Sequence, residues 1–313
     1  MSLSALLAGN QPEGGDHEEN AVPEHVIHTS TAVRRRLGAL KKLHLDAVDV
    51  QIDFYKRVHE LETEFRSRFE AVNKKRAEIV NGEREPADDE KDTPMFSWMS
   101  AEDNEQFLNA APKTNEKEPK GVPEFWLNVL RQIPSYNDVI TDADEPILRH
   151  LTDITIDQTN EPPAFTLKFH FSENPYFSND VLTKYYKISI GNNEVENKAL
   201  YDGPSIVETK GCEIQWKEGK NVTQKLKKNK KGNNTKVVDA ESFFTFFNPT
   251  TAKIHPDMAE EEADRLNGDF ELGQLLRDSV VDSAIIFYTG ECVDDDDEFD
   301  YGAGEEGEYE DLD

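Results

Sequence analysis

The chain has 313 residues, 64 acidic and 35 basic, for a formal net charge of −29, and only 36% of it is hydrophobic. That length suits one large domain or two small ones, and the low apolar content assigns part of the chain to tail and loop. The charge excludes a surface built to seek nucleic-acid phosphate and favours strongly basic partners, with an acidic, solubilising tail as the bland alternative.

Only two cysteines are present, Cys212 and Cys292. They make neither a disulfide framework nor a zinc spacing, and they suit a reducing compartment. No apolar run approaches a membrane span, and Met1 to Gly9 lacks the basic and long apolar regions of a signal peptide. No membrane partner is expected.

Residues 1–28 are rich in Gly, Asn, Glu and His and are expected to be disordered. Residues 29–82 read as helices. Ser30 or Thr31 can cap a short helix carrying Val33, Leu37 and Leu40, which leads into a long one. In the long helix Phe54, Val58, Leu61, Phe65, Phe69 and Val72 recur at steps of three and four, the period of one helical face. Its other faces are charged, which argues against burial on all sides. Gly82 supplies the stop, Lys74, Lys75 and Arg76 complement the helix dipole, and Pro86 follows as a breaker. From Leu45 to Asn81 such a helix is roughly 55 Å long. A helix of that length needs a partner, either a second copy through the apolar face, which is the favoured reading, or its own domain.

Residues 83–120 contain four prolines and an apolar island at Met95, Phe96, Trp98 and Met99, and read as an accessory connector with a helical turn or two. Residues 121–291 are expected to form an α+β domain. Pro123 stands at a first helical position ahead of Phe125, Trp126, Val129, Leu130 and Ile133. A second helix is predicted from about Ser135 to His150, with Asp138 and Asp142 on one face and Asp144 and Glu145 nearby. This is a candidate site for a basic partner, or a solvated face.

The period then changes to two. Ile154 and Ile156, then Phe165, Leu167, Phe169 and Phe171, predict half-buried strands around a turn at Glu161-Pro162-Pro163. Tyr185–Ile190 and Ile206–Trp216 are predicted as further strands. From Lys217 to Lys236 there are eight lysines against one glutamate, within a predicted hairpin over 217–238. Lys225, Lys227, Lys228, Lys230 and Lys231 suit a nuclear import signal, with a nucleic-acid patch or a lysine-protected sheet edge as alternatives.

Phe243, Phe244, Phe246 and Phe247 are expected in the core. Glu260, Glu261, Glu262 and Asp264 form a second acidic cluster, and Phe270, Leu272, Leu275 and Leu276 a further helix. Ile285–Tyr288 closes the domain. Residues 292–313 are the acidic tail: from Glu291 onward there are thirteen Asp and Glu and no Lys or Arg.

Catalytic motifs fail on context. Gly302, Gly304 and Gly307 match a dinucleotide fingerprint by letter, but an aspartate run stands where a strand is required. The run Asp294 to Asp300 lacks the glycine and the bidentate glutamate of a calcium loop. No enzyme activity and no cofactor are expected.

Six collinear strings nevertheless identify a family: Gly121-Val-Pro-Glu-Phe-Trp-Leu127, Asp144-Glu-Pro-Ile-Leu148, Asn174-Pro-Tyr-Phe-Ser-Asn-Asp-Val-Leu182, Gly211-Cys-Glu-Ile-Gln-Trp-Lys217, Ser242-Phe-Phe-Thr-Phe-Phe-Asn-Pro249 and Phe287-Tyr-Thr-Gly290. Together they resemble the nucleosome assembly protein family of histone chaperones, over about Ser30 to Glu291. The resemblance implies an α+β fold: a long antiparallel dimerisation helix preceded by a short one, then a mainly antiparallel sheet with packed helices, and a disordered acidic C-terminal tail. The homodimer would form a dome with an acidic concave face.

It also implies binding of core histones and ATP-independent nucleosome assembly, with shuttling between nucleus and cytoplasm and no sequence-specific nucleic-acid contact. Asp138 and Asp142 align with acidic positions of that concave face. With Glu260, Glu261, Glu262 and Asp264, and with Asp294, Asp295, Asp296, Asp297, Glu298, Asp300 and Tyr301 of the tail, they are the candidate histone-binding residues. The lysine hairpin corresponds to a segment associated with import receptors. The alternative is a dimeric acidic scaffold or nuclear transport adaptor.

Overall fold

The computed structural model describes residues 22–292 except 89, 92, 111–117, 192–197, 229–234, 249, 254, 256 and 257. The acidic tail and the hairpin tip therefore lie outside the described residues. The chain divides into two compact units, one holding 22–58 with 190–204 and the other 59–189 with 205–292.

The first unit opens with a four-residue helix, α1 (Glu24–Ile27), inside the segment expected to be disordered. Arg34 holds this turn by donating to the Ile27 carbonyl at 2.6 Å. The long helix α2 runs from Thr31 to Val80 as a single element of 50 residues, so the short helix predicted ahead of it is its first turns. Ser30 Oγ caps it by accepting from Val33 N at 3.3 Å. Gly38 does not interrupt it, because the flanking Arg, Lys, Leu and Ala residues are strong helix formers.

The first unit's apolar cluster is small: Val48, Ile52 and Tyr55 of α2 pack against Tyr201. Beside them a single 3₁₀ turn, Lys198–Leu200, is fastened to α2 by His44 Nε2 donating to the Ala199 carbonyl at 2.8 Å and by the Lys198–Asp49 ion pair. Gly191 lies so close to Ile52 that an added Cβ would sit 2.3 Å from its side chain, and its φ of +65° also favours glycine.

In the second unit α2 ends as its composition requires. Gly82 adopts φ +64° and meets Gly121 back to back, and Val122 N donates to the Val80 carbonyl at 2.8 Å. Among its described residues the connector contains one helix, α3 (Ala101–Asn109), whose cap Ser100 accepts from Asp103 N. Helix α4 (Phe125–Arg131) starts two residues after Pro123, because Glu124 takes a left-handed φ of +59°. The predicted helix from Ser135 to His150 is instead two single turns, α5 (Pro134–Asn137) and α6 (Glu145–Leu148), joined by a loop.

Strands β1 (Leu151–Asn160), β2 (Pro163–Phe171), β3 (Val181–Ser189), β4 (Ser205–Lys210) and, completing the sheet, β7 (Ala252–Lys253) pair antiparallel in the order β1-β2-β3-β4-β7. The predicted strand over Ile206–Trp216 stops at Lys210, where Gly211 turns against the Phe247 carbonyl too closely for any Cβ. Strands β5 (Gln224–Lys228) and β6 (Thr235–Asp239) form a separate two-stranded ribbon, as the lysine pattern predicts.

The buried column of the large sheet, Ile154, Ile156, Phe165, Leu167, Phe169 and Leu182, meets a 3₁₀ turn at Phe243–Phe247 whose four phenylalanines are all buried. The two predicted C-terminal segments are one continuous helix. It begins as α7 (Glu260–Leu275) and widens through a π turn at Leu276–Val280, ahead of α8 (Ala284–Thr289).

The charged flank of α2 is not left to solvent. Arg66 reaches Asp282 at 3.0 Å, Asn73 donates to the same carboxylate at 2.7 Å, and Arg76 bridges Asp153 and the Val281 carbonyl beneath the Trp126 ring. Buried charges are tolerated there because each is paired and hydrogen-bonded.

Candidate functional site

The acidic residues separate by how their charge is spent. Asp144 is fully buried, and its carboxylate accepts from Thr141 N (2.9 Å), Thr141 Oγ1 (2.8 Å), Ser242 Oγ (2.5 Å) and Phe243 N (2.9 Å). It buttresses the fold and is lost to any partner. Glu145 is held by Arg131, Asp282 by Arg66 and Asn73, Asp153 by Arg76, and Asp269 by Lys184 at 2.6 Å.

Lys184 shows why such pairs exist. It occupies the apolar column of β3 opposite Leu167, only 3% exposed, and burial pushes its ammonium below the ordinary lysine value although Asp269 opposes the shift. Its Nζ also donates to the Phe246 carbonyl at 2.7 Å.

Asp138 and Asp142 belong to the other class. They do not share a helical face: Asp138 caps α5 and Asp142 sits in the loop before α6, both exposed. Glu260, Glu261 and Glu262 form the first turn of α7, with Asp264 one turn on, and all four are exposed. Their helix position has a local reason, since carboxylates are stabilised at the positive end of the helix dipole. Among the described residues none of these six makes an ion pair, so all six can meet an incoming cation without first breaking a bond. The Tyr136 hydroxyl donates to the Leu272 carbonyl at 2.7 Å, which fixes the loop carrying Asp138 to the helix carrying the glutamates.

Asp294, Asp295, Asp296, Asp297, Glu298, Asp300 and Tyr301 lie outside the described residues, as do Lys230 and Lys231. Lys225 and Lys227 are exposed on β5, and Lys228 is the last residue of that strand. On α2 the face of Phe54, Leu61, Phe65, Phe69 and Val72 is exposed, from 38% at Phe65 to 65% at Val72, and Val58 is half-buried. The opposite flank carries the contacts with the chain's own domain.

Among the described residues His170 belongs to no cluster that could hold a metal ion. Its Nε2 lies 2.8 Å from Thr155 Oγ1, and burial holds its pKa below the ordinary 6.5, with Asp153 and Asp157 opposing and Lys168 assisting. A base whose folded pKa is lowered binds fewer protons than the unfolded chain in that window, so stability is lost as pH falls through about 6.5. Urea midpoints are expected to be lower at about pH 5.5 than at about pH 7.5, with the difference reduced in His170→Gln. An equal difference in that variant would assign the loss elsewhere.

Comparison with known proteins places this geometry. A family model described as "Nucleosome assembly protein (NAP)" matches residues 35–291. The human "Nucleosome assembly protein 1-like 4" is 38% identical over 330 aligned residues, covering 98% of this chain and 86% of that protein. "Nucleosome assembly protein 1-like 1" of Xenopus tropicalis is 38% identical, covering 85% and 71%. Among solved structures, nucleosome assembly protein 1 from Plasmodium knowlesi superposes with a TM-score of 0.53 at 25% identity, over 84% of this chain and 98% of that one.

Proposed function

The chain belongs to the nucleosome assembly protein family of histone chaperones, and from that premise we propose that it binds core histones as a homodimer and passes them to DNA without nucleotide hydrolysis. The observation that carries the reading is the division of carboxylates: the buried ones are consumed by the chain's own cations and donors, whereas Asp138, Asp142, Glu260, Glu261, Glu262 and Asp264 are exposed and unpaired among the described residues.

A histone binds DNA through many phosphate contacts, each releasing counterions, so free histones and DNA condense in disorder. Exposed carboxylates cover the same cations with salt-sensitive contacts, and DNA, with its higher charge density, displaces them. The protein acts by binding, with no catalysed reaction. The apolar face of α2 joins two copies, and the tail of residues 292–313 raises the local concentration of acid, with Phe299, Tyr301 and Tyr309 as aromatic contacts. Lys225 and Lys227, presented on a ribbon apart from the main sheet, suit an import receptor and with it passage between cytoplasm and nucleus.

The test is titration of the protein into core histones mixed with DNA at physiological salt, without ATP. Soluble, ordered deposition of histones is expected, and persistent precipitation would overturn the reading. Deleting Asp294 to Asp313 is expected to weaken histone binding about tenfold at low salt without abolishing it, because the folded carboxylates remain. Unchanged affinity would remove the tail from the mechanism.

A further inference from the structure

The ribbon of β5 and β6 reverses the sign of the chain, since Lys217 to Lys236 holds eight lysines against one glutamate. Lys220, Lys225 and Lys227 are exposed, and among the described residues none of them makes an ion pair. The Lys220 ammonium lies over the Tyr176 ring at 5.7 Å. Alternation along the strand puts Lys225 and Lys227 on one face of the ribbon, and the register sets Val238 and Lys236 opposite them. No carboxylate faces them across the strands. The ribbon has no third strand among the described residues, and Val237, on its other face, is 53% exposed. A two-stranded ribbon is marginal in water until something packs on it.

The chain carries a segment of matching chemistry. Residues 292–313 hold twelve Asp and Glu, no Lys or Arg, and the aromatic residues Phe299, Tyr301 and Tyr309. They lie outside the described residues, but their root is placed. Glu291 accepts from Ser97 N and from Thr289 Oγ1, both at 2.6 Å, and Tyr288 stacks on Phe125 at 5.0 Å, within the unit that also holds the ribbon. The 21 residues beyond Cys292 extend to roughly 70 Å at most, against a radius of gyration of about 17 Å for a compact unit of this size. Reach is therefore no obstacle, and a tether of this length gives an effective concentration on the order of millimolar. A separate polyanion such as DNA lacks the tether and meets a chain of net charge −29.

We infer that the acidic tail folds back onto the lysine ribbon of its own chain, with carboxylates of Asp294 to Asp300 on Lys220, Lys225 and Lys227 and Phe299 across Val238 and the lysine stems. The contact is a mask. It covers the lysines that suit an import receptor until a basic cargo, with more cations than the ribbon, draws the tail away. By linkage the effect is reciprocal, since a receptor on the ribbon also frees the tail for cargo. The inference rests on the histone-binding reading and deepens it into a regulation of the same tail.

The test is amide hydrogen exchange of the full chain against a chain ending at Val293, with the tail supplied back as a synthetic peptide of residues 294–313. Exchange over 224–228 and 235–239 is expected to be about fivefold slower in the full chain at low salt. The two chains are expected to match in about 1 M salt, where charges are screened beyond roughly 3 Å. Added peptide is expected to slow the shortened chain again, and Lys225→Gln combined with Lys227→Gln to weaken the peptide about fivefold, the loss of two exposed ion pairs. Equal exchange with and without the tail, protection of other segments only, or an unaffected double variant would overturn the contact. Protection that vanishes in the Phe65→Asp, Phe69→Asp chain would give the tail to the partner copy and overturn the same-chain assignment. Short duplex DNA that protects the ribbon as strongly in the full chain as in the shortened one would also overturn it.

A second arm adds core histones. In the full chain they are expected to return the ribbon's exchange to that of the shortened chain, and in the shortened chain to leave it unchanged. Slow exchange that persists with histones bound would overturn the release. Histones that bind neither chain would overturn the chaperone reading, and the peptide titration would then decide the contact by itself.

Discussion

Replacing Phe65 and Phe69 together by aspartate is expected to reduce the protein in solution from twice 35.6 kDa to 35.6 kDa while leaving the protomer folded. In the protomer these rings are 38% and 45% exposed, each under a guanidinium, Arg68 over Phe65 at 4.3 Å and Arg66 over Phe69 at 5.2 Å. An aspartate at either position keeps an arginine neighbour, so the helix itself loses little. A second copy changes the sum. Each large apolar side chain buried between two helices contributes on the order of 1.5–3 kcal/mol. The face of Phe54, Val58, Leu61, Phe65, Phe69 and Val72, used twice in a symmetric pair, can exceed the roughly 4–15 kcal/mol cost of association. Two carboxylates per copy in that seam remove the apolar gain and add a desolvation cost of several kcal/mol each. Sedimentation or light scattering, with far-ultraviolet circular dichroism as the control for folding, decides the matter. A double variant that stays at twice the chain mass would show that the apolar face of α2 is not the dimer seam.

Asp144→Ala is expected to cost about 3 kcal/mol or more, because four donors, two of them backbone amides, lose their acceptor inside the core. At about 2–4 °C per kcal/mol for a domain of this size, the melting midpoint should fall by roughly 6–12 °C. Asp144→Asn keeps an acceptor oxygen and should lose less. The result also separates two roles that look the same in a list of acidic residues. If Asp144 served a basic partner, alanine would weaken binding and leave stability untouched. Asp142→Ala, two residues earlier and exposed, is the contrast: its stability should change by less than about 0.5 kcal/mol.

The fold treats neighbouring kinds of sequence signal differently. The apolar spacing of α2 was legible because 3.6-residue periodicity is a property of the chain alone, and its stop at Gly82 followed from local backbone chemistry. The strands at Ile154–Ile156 and Phe165–Phe171, the lysine hairpin and the core position of the four phenylalanines were legible for the same reason. The helix predicted from Ser135 to His150 failed because Asp144 is drawn into hydrogen bonds with Ser242 and Phe243, nearly a hundred residues away, and the chain bends to deliver it. The turn at Glu24–Ile27 was missed because four residues carry no periodic pattern, and the Arg34 contact that holds it is read only in three dimensions.

What the sequence determined by itself is the local grammar: helix against strand, starts and stops, the apolar face of α2, and the blocks of opposite charge. Six collinear strings carried the family as well. The tertiary structure alone decided which charges remain available. Arg66 and Arg76 sit on a flank of α2 that reads as solvated, and the fold spends them on Asp282 and Asp153; Lys184 sits in a strand of apolar rhythm and is spent on Asp269. Asp138 and Glu262 look no different in sequence from Asp144 and Asp269, yet among the described residues they make no ion pair. The physical reason is that a side chain's charge is kept or neutralised by partners brought near by folding, and those partners lie tens to hundreds of residues away.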